Sequence, residues 1–391
     1  MVCPEPRTAQ RARLLDSNRG GHRMPVVDNH REIPVPALPG VGQASISDDP
    51  IDEPGALDRA PGRPLVKRLL MRALVALAPL VLLLLTPPSF AQTPAPGEPL
   101  QVVASFSILG DLVENVGGEA VAVTTLIGPG VDAHTYDPAP ADLVVLTQAD
   151  VVFENGLGFE PWLDGFFASA QPPGARIVVT DGITPREAGE DHDEHEEEEQ
   201  PEEDAAHERG RFDPHVWHDV ANVIVMVGNI RDALAIADPA RAELYEANAA
   251  AYIDELEALD ASIREQVGTL PAERRKLITS HNTFSYFADA YGFDVLGTAL
   301  GSLSTEAGDP SARDIATLIT QIEEAGVPAI FAENVANPDL MESIAAGAGV
   351  ELAPALYTDA LGPPGSPGGT YVGMMRSNVT TIVNALNGGQ G

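Results

Sequence analysis

Short apolar runs rich in β-branched residues alternate with amphipathic segments along this chain, and no other feature constrains its fold as strongly. Between residues 100 and 180 the pattern predicts four strands separated by three helices. In chain order they are Leu100–Ser105, Ile108–Val116, Val121–Ile127, Ala139–Gln148, Asp150–Glu154, Glu160–Ser169 and Arg176–Thr180. Such a βα alternation is typical of a parallel sheet with helices on both faces.

A long helix is predicted next. After a helix at Val220–Ala237, the segment Pro239–Leu270 places apolar residues three and four apart and has no further proline or glycine before Gly268. A continuous helix of this kind would be about 45 Å long at 1.5 Å per residue. The alternation then resumes with Lys276–Thr279, Phe284–Ala290, Phe293–Leu296, Ala312–Glu324, Ala329–Ala332, Asp339–Ala346, Val350–Pro354 and Tyr371–Leu386.

The predicted fold class is therefore α/β with two lobes. Each lobe is expected to be a mainly parallel β-sheet flanked by helices, and one long rigid helix is expected to join them. The expected boundaries are 92–239 for the N-terminal lobe, 240–270 for the linking helix and 271–391 for the C-terminal lobe.

The first 91 residues are predicted to lie outside the folded part. Residues 1–64 are rich in Pro, Arg and Asp without sustained periodicity, so we expect disorder or a wrongly assigned start codon. Residues 65–91 have the pattern of a signal peptide, with three basic residues, an apolar run at Ala73–Leu85 and small residues before a cleavage site after Ala91. A membrane anchor is the alternative, but the run is short for a spanning helix and contains Pro79.

Cysteine content and charge narrow the function. The only cysteine is Cys3, upstream of the predicted signal peptide, so the exported chain needs no disulfides and lacks the cysteine that would carry a lipid after cleavage. Of 23 Lys/Arg and 58 Asp/Glu residues, 11 and 9 precede residue 92, which leaves 12 basic and 49 acidic groups and a net charge of −37. Such a field repels nucleic acid and attracts cations. We predict a soluble periplasmic protein that binds no nucleic acid.

An acidic segment rich in histidine suggests metal binding. Glu190–Glu208 reads EDHDEHEEEEQPEEDAAHE, and its three histidines are His192, His195 and His207. Imidazole and carboxylate are ligands for a borderline divalent metal such as zinc, although a solvated acidic linker is the simpler interpretation. With 13 carboxylates, Glu187–Gly210 is expected to be disordered and to bind further zinc weakly.

Four more histidines lie where α/β folds place ligands, at strand ends and helix starts. One follows the second predicted strand, two lie in Asp213-Pro-His-Val-Trp-His-Asp219, and one ends Leu277-Ile-Thr-Ser-His281. Any one of them alone would more often be a surface or capping residue, but together they favour metal ligation. These residues are His134, His215, His218 and His281.

Over about residues 98–388 the chain resembles the zinc/manganese substrate-binding proteins of ABC transporters, bacterial solute-binding protein family 9. Seven stretches carry the resemblance, in order, and an acidic His-rich insertion before the third also recurs in the zinc-specific branch. They are GVDAHTYDPAP (130–140), NGLGFEPWLD (155–164), FDPHVWHD (212–219), SHNTFSYFADAYGF (280–293), PAIFAE (328–333), LYTDALG (356–362) and GTYVGMMRSNVTTIVNAL (369–386).

The resemblance implies a metal site in the cleft between the lobes, with His134, His215, His281 and Asp359 as ligands. Three imidazoles and one carboxylate suit tetrahedral Zn²⁺ better than Mn²⁺. It also implies a monomeric, non-catalytic protein that delivers the ion to an inner-membrane ABC permease and its ATPase. His218 departs from the family, where leucine is more common, and joins the acidic-loop histidines as a candidate for weak secondary binding.

The residues that surround this site are also implied by position. Trp217 and Tyr136 are expected to pack around the metal rather than bind it, and Glu306 is expected in an exposed loop near the cleft.

The sequence is also compatible with other functions. A manganese- or iron-binding member of the same family is one alternative. A secreted zinc hydrolase is another, but the chain has no His-Glu-x-x-His motif and would need Asp359 off the metal, with Glu306 or Asp219 as base. A zinc buffer or surface adhesin that works through the acidic loop alone is a third.

Overall fold

The computed structural model describes residues 97–188, 211–306, 308 and 310–388, which lie within the compact unit Pro87–Gly391. The predictions for residues 1–64 and 65–91, and those for His192, His195 and His207, lie outside the described residues.

The N-terminal lobe is built on a four-stranded sheet. Its strands are β1 (Leu100–Phe106), β2 (Val121–Ile127), β3 (Val151–Glu154) and β4 (Ala175–Val178). They lie in the order β2-β1-β3-β4, and every neighbouring pair is parallel. Because side chains alternate across a strand, β1 contributes Val102 and Ala104 to one face and Val103 to the other, and all three are buried.

Helices cover both faces of this sheet. They are α1 (Ser107–Gly117), α2 (Pro140–Leu146), α3 (Leu163–Ala170) and α4 (Val220–Ala237). Helices α1 and α4 belong to the large core that includes Val102, whereas α2 and α3 pack around Val103 and Val152.

The C-terminal lobe repeats the arrangement with two strand pairs. Strand β5 (Lys276–Thr279) pairs in parallel with β6 (Asp294–Thr298), and β7 (Ala329–Glu333) pairs in parallel with β8 (Glu351–Leu356). Strands β5 and β7 lie next to each other. The helices of this lobe are α6 (Ser285–Tyr291), α7 (Ala312–Ala325), α8 (Asp339–Ala348) and α9 (Tyr371–Leu386). The predicted α/β fold class with parallel sheets flanked by helices is confirmed.

The long helix α5 (Ala242–Gly268) has 27 residues, which corresponds to about 40 Å. It packs beside α1, α4 and α9 and contributes one stripe of residues to the large core. The buried stripe is Tyr245, Ala249, Tyr252, Leu256, Leu259, Ile263 and Val267. Helix α5 is therefore packed along its length against helices of both lobes.

The lobes also contact each other directly, in addition to being joined by α5. The backbone N–H of Leu361 donates to Ser107 Oγ at 2.9 Å, and the N–H of Tyr371 donates to Asp111 Oδ2 at 2.9 Å. The N–H of Gly130 donates to the carbonyl of Leu361 at 2.9 Å. These bonds join the two lobes beside the C-terminal ends of their strands, where α/β folds bind ligands.

By length and composition alone, helix α4 could cross a membrane, since it has 18 residues and a mean hydropathy of 1.5. Eighteen residues span only about 27 Å, and its buried residues Val223, Met226 and Ile230 lie in the large core with α1 and α5. Its buried residues therefore pack against neighbouring helices, as those of a core helix do.

Two helices begin three residues later than predicted. Helix α3 begins at Leu163 and not at Glu160, because the Glu160 carboxylate accepts hydrogen bonds from the N–H groups of Asn155 and Gly156 at 2.8 and 3.1 Å and folds the chain into a turn. Helix α5 begins at Ala242, after a 3₁₀ turn at Pro239–Arg241.

Candidate metal centre

Four side chains from four separate segments converge between the lobes. His134 lies in the loop after β2, His215 precedes the 3₁₀ turn Val216–His218, His281 follows β5, and Asp359 follows β8. One ligand atom from each lies within 4.8 Å of every other. Among the described residues, this is the one group of three or more His, Cys, Asp or Glu that could hold a metal ion.

The donor atoms are spaced closely around one point. His134 Nε2 lies 3.3 Å from His215 Nε2 and 3.5 Å from Asp359 Oδ2. Asp359 Oδ2 lies 3.1 Å from His281 Nε2, and Asp359 Oδ1 lies 3.7 Å from His215 Nε2. His281 Nε2 and Asp359 Oδ2 are buried without a hydrogen-bond partner. Buried polar atoms of this kind need a partner, and a shared cation would supply one.

Local backbone bonds hold two of the ligand loops in place. Asp132 Oδ1 accepts from the N–H of His134 at 2.9 Å, and Asp213 Oδ1 accepts from the N–H of His215 at 3.0 Å. Both bonds span two residues, which is the Asx-turn pattern. Asp132 Oδ2 also accepts from the Thr305 hydroxyl at 2.5 Å, so the His134 loop is tied to the opposite lobe.

Two carboxylates that sequence reasoning missed orient the imidazoles. Asp213 Oδ1 lies 2.8 Å from His215 Nδ1, and Glu333 Oε2 lies 2.5 Å from His281 Nδ1. Each pair fixes which ring nitrogen faces away from the carboxylate, toward the other ligands. Asp213 is visible in the sequence two residues before His215. Glu333 is 52 residues from His281, and only the pairing of β7 and β8 beside β5 brings it near.

The charges of the group are strongly coupled. Burial alone would raise the pKa of Asp359, but the adjacent His281, His215 and His134 hold it well below its ordinary value. Burial alone would lower the pKa of His281, but Glu333 and Asp359 raise it well above the ordinary value. A metal ion that binds His281 Nε2 must therefore displace a proton, because only neutral imidazole can ligate.

Aromatic rings pack against the group of four, whose side chains are largely shielded from solvent. Phe159 lies 5.2 Å from the ring of His134, and Trp217 lies 5.4 Å from the ring of His215. The side chains of His215, His281 and Asp359 have no solvent exposure, whereas that of His134 is 8% exposed. An ion would therefore reach the group from the His134 side.

His218 is not brought into the group of four, although it is only three residues from His215. Its ring packs against that of Phe284 with the centroids 4.5 Å apart, and its Nε2 lies 3.2 Å from Thr283 Oγ1. Burial lowers the pKa of His218 to about 3, so this imidazole is neutral.

The other candidates occupy separate positions. Tyr136 donates to Asp142 at 2.7 Å and packs on Trp162, while Glu306 is exposed. Asp219 accepts from the N–H of Ala221 at 2.9 Å and caps α4. Asp219, one of the two candidate bases for a zinc hydrolase, is therefore engaged as the N-cap of α4.

The buried acid Glu160 gives a prediction of how stability depends on pH. Burial, and then the charge of Glu154, raise the pKa of Glu160 from 4.5 to about 7. The folded state therefore binds this proton more tightly than the unfolded state, and the ionised acid destabilises the fold increasingly between pH 4.5 and 7. The quantity to compare is the free energy of unfolding of metal-free wild type and of metal-free Glu160→Gln. The difference between them, wild type minus variant, should fall by about 3 kcal/mol from pH 4.5 to pH 7. Denaturant titrations at several pH values measure it, and parallel profiles would contradict it.

Comparison with known proteins gives consistent matches. The family model of the periplasmic zinc-uptake complex component A, ZnuA, matches residues 102–385. The manganese-binding lipoprotein MntA of Halalkalibacterium halodurans is 39% identical over 292 residues, 74% of this chain and 90% of MntA. The iron-binding protein YfeA of Yersinia pestis is 33% identical over 288 residues, 73% of this chain and 86% of YfeA.

A zinc-binding relative is similar in both sequence and structure. The zinc-binding protein TroA of Treponema pallidum is 35% identical over 297 residues, 75% of this chain and 90% of TroA. The solved structure of periplasmic zinc-binding TroA superposes with a TM-score of 0.64 at 32% identity, covering 74% of this chain and 99% of that one.

Proposed function

Because this chain belongs to the family of the zinc-uptake complex component A, whose members are metal-binding substrate-binding proteins of ABC transporters and not enzymes, we propose that it captures Zn²⁺ through His134, His215, His281 and Asp359. The bound ion is then delivered to an ABC permease, which imports it with energy from its ATPase.

The donor set and its spacing carry the zinc proposal. Zinc bonds to imidazole nitrogen and carboxylate oxygen of about 2.0–2.2 Å place tetrahedral ligands about 3.3–3.6 Å apart. The shortest separations between the donor atoms of the group are 3.1, 3.3 and 3.5 Å. Three imidazoles are a softer donor set than the oxygen-rich octahedron that Mn²⁺ prefers.

A manganese- or iron-binding role is the second candidate. Two of the similar proteins, MntA and YfeA, are described as manganese-binding and iron-binding. The zinc assignment therefore depends on the donor set of this chain and not on its relatives.

Release requires the shared ion to leave both lobes. His134 and His215 lie in the N-terminal lobe and His281 and Asp359 in the C-terminal lobe, so the ion bridges them. Because α5 and the hydrogen bonds at Leu361 and Tyr371 hold the lobes together, release is expected to involve movement of the ligand loops rather than wide opening.

The protein acts outside the cytoplasm, as the family does. MntA is described as a lipoprotein, whereas the only cysteine of this chain is Cys3. We propose a soluble, monomeric periplasmic protein. An intact-mass measurement on protein isolated from its own cell envelope tests this, since a lipid-modified mass would contradict it.

Metal competition tests the proposed function. Elemental analysis of the purified protein should find one tightly bound zinc, and equimolar Zn²⁺ should displace bound Mn²⁺ in a calorimetric titration. As a control, a variant that lacks Glu187–Gly210 should keep the tight one-to-one site and lose any weaker zinc. Retention of Mn²⁺ against equimolar Zn²⁺ would favour the manganese role instead. Loss of the tight site with the segment would favour the zinc buffer.

A further inference from the structure

A short chain of side chains runs from His218 to the carboxylate of the proposed metal site. His218 Nε2 lies 3.2 Å from Thr283 Oγ1, which donates to Asp359 Oδ1 at 3.3 Å. All three side chains are fully buried, so water does not compete for these contacts. The ring of His218 also packs near two aromatic rings, with centroid distances of 4.5 Å to Phe284 and 5.9 Å to Trp217.

The direction of the hydrogen bonds follows from the available protons. A threonine hydroxyl has one proton, and an ionised carboxylate can only accept, so Thr283 donates to Asp359. His218 must then donate from Nε2 to Thr283 Oγ1. This leaves Nδ1 as an unprotonated acceptor, and Nδ1 has no partner in the structure. The reverse direction would leave a buried N–H unpaired at Nδ1 and would remove the donor from Asp359 Oδ1, which is costlier.

The two oxygens of Asp359 are consequently different. Oδ1 accepts the Thr283 hydroxyl, whereas Oδ2 accepts no hydrogen bond from a described residue outside the group of four and lies 3.1 Å from His281 Nε2 and 3.5 Å from His134 Nε2. A carboxylate held in this way offers one free oxygen to an ion among the imidazoles. One-oxygen ligation completes a four-coordinate shell, whereas an ion that prefers six oxygen-rich positions would gain from both oxygens.

We propose that His218, acting through Thr283, is a positioning residue that holds Asp359 for one-oxygen ligation and so favours a four-coordinate cation over one that needs more oxygen ligands. This inference rests on the proposed metal site and concerns its selectivity. In this role His218 is not a ligand, because its Nε2 bonds to Thr283 and not to the ion.

Paired substitutions in the full chain test the proposal with Zn²⁺ and Mn²⁺ alone as probes. His218→Leu and Thr283→Val each remove one member of the chain, and each is expected to lower the ratio of zinc to manganese affinity about 10-fold. His218→Gln and Thr283→Ser keep an N–H donor and a hydroxyl, and they are expected to restore the wild-type ratio. The double variant His218→Leu/Thr283→Val should lose no more than either single variant, because both break the same chain.

Controls distinguish positioning from packing. Thr317→Val makes the same change at an exposed residue of α7 and should leave the ratio unchanged. Co²⁺ bound to His218→Leu should show a weaker tetrahedral absorption than Co²⁺ bound to wild type. If both affinities fall equally and the spectrum is unchanged, His218 only packs, and the proposal is wrong.

A second measurement needs no metal. Nitrogen NMR of histidine-labelled, metal-free protein should find His218 protonated at Nε2, and protonation at Nδ1 would overturn the proposal. The zinc-to-manganese affinity ratio of each variant is compared with that of wild type, so the test does not depend on which metal wild type prefers. A manganese preference of wild type would therefore contradict the proposed function without deciding the role of His218.

Discussion

His281→Ala is expected to weaken zinc binding by at least about 100-fold, the largest effect on function that we predict. His281 is fully buried between Glu333 and Asp359, so its removal leaves three of the four donors and a gap that no other described His, Cys, Asp or Glu is placed to fill. Calorimetry in competition with a chelator measures the loss. Wild-type affinity in this variant would remove the central claim of the proposed function.

A second variant guards against a folding defect. Without His281, two buried carboxylates lose their partner, which can cost about 3–5 kcal/mol of stability. His134→Ala has less of this complication, because His134 is the one partly exposed member of the group and its Nε2 lies farther from a carboxylate, 3.5 Å from Asp359 Oδ2, than the nitrogens of His281 do. It should show a loss of the same order. Glu306→Ala, in an exposed loop, should bind zinc as wild type does.

Zinc-dependent stability provides an independent readout of the same loss. An ion present at 100 times its dissociation constant stabilises the folded state by about 2.7 kcal/mol. Wild type should gain this amount in denaturant unfolding, whereas His281→Ala should gain almost none at the same zinc concentration.

Trp217→Ala is expected to lower stability by about 3–5 kcal/mol, the largest loss that we predict for a residue outside the candidate ligands. Trp217 is fully buried and lies 5.0 Å from the ring of Phe106 and 4.9 Å from that of Phe159. Its indole N–H donates to the carbonyl of Thr358 at 2.9 Å, and its own carbonyl accepts from the Tyr371 hydroxyl at 2.8 Å. The substitution therefore opens a cavity and breaks a link between the lobes. Denaturant unfolding of metal-free protein measures the loss.

A milder matched pair isolates the hydrogen bond. Trp217→Phe leaves the Thr358 carbonyl without its donor, which should cost about 1–3 kcal/mol. Trp162→Phe removes an indole N–H that has no partner in the structure, so it should cost less. Because Thr358 precedes Asp359, Trp217→Phe should also weaken zinc binding, whereas Trp162→Phe should not. Equal costs for the two variants would show that the link to Thr358 carries no stability.

Much of the fold could be predicted because secondary structure leaves a local periodic signal. The bounds of β2, β5, α4 and α9 agree with the predicted segments. Helix starts were less predictable. Glu160 has an ordinary helical context, but its carboxylate bonds to Ser105 in β1 at 2.6 Å, and this partner is 55 residues away.

The sequence by itself determined the βα rhythm, the strand ends at which the candidate ligands lie, and, through resemblance, the four residues that the structure brings together. Only the tertiary structure decided what surrounds them. Glu333 reaches His281, and His218 contacts Thr283 outside the group of four, because strands and turns distant in the chain pack together there. Periodicity records which side of an element is buried, but it does not record which buried partner each polar atom meets.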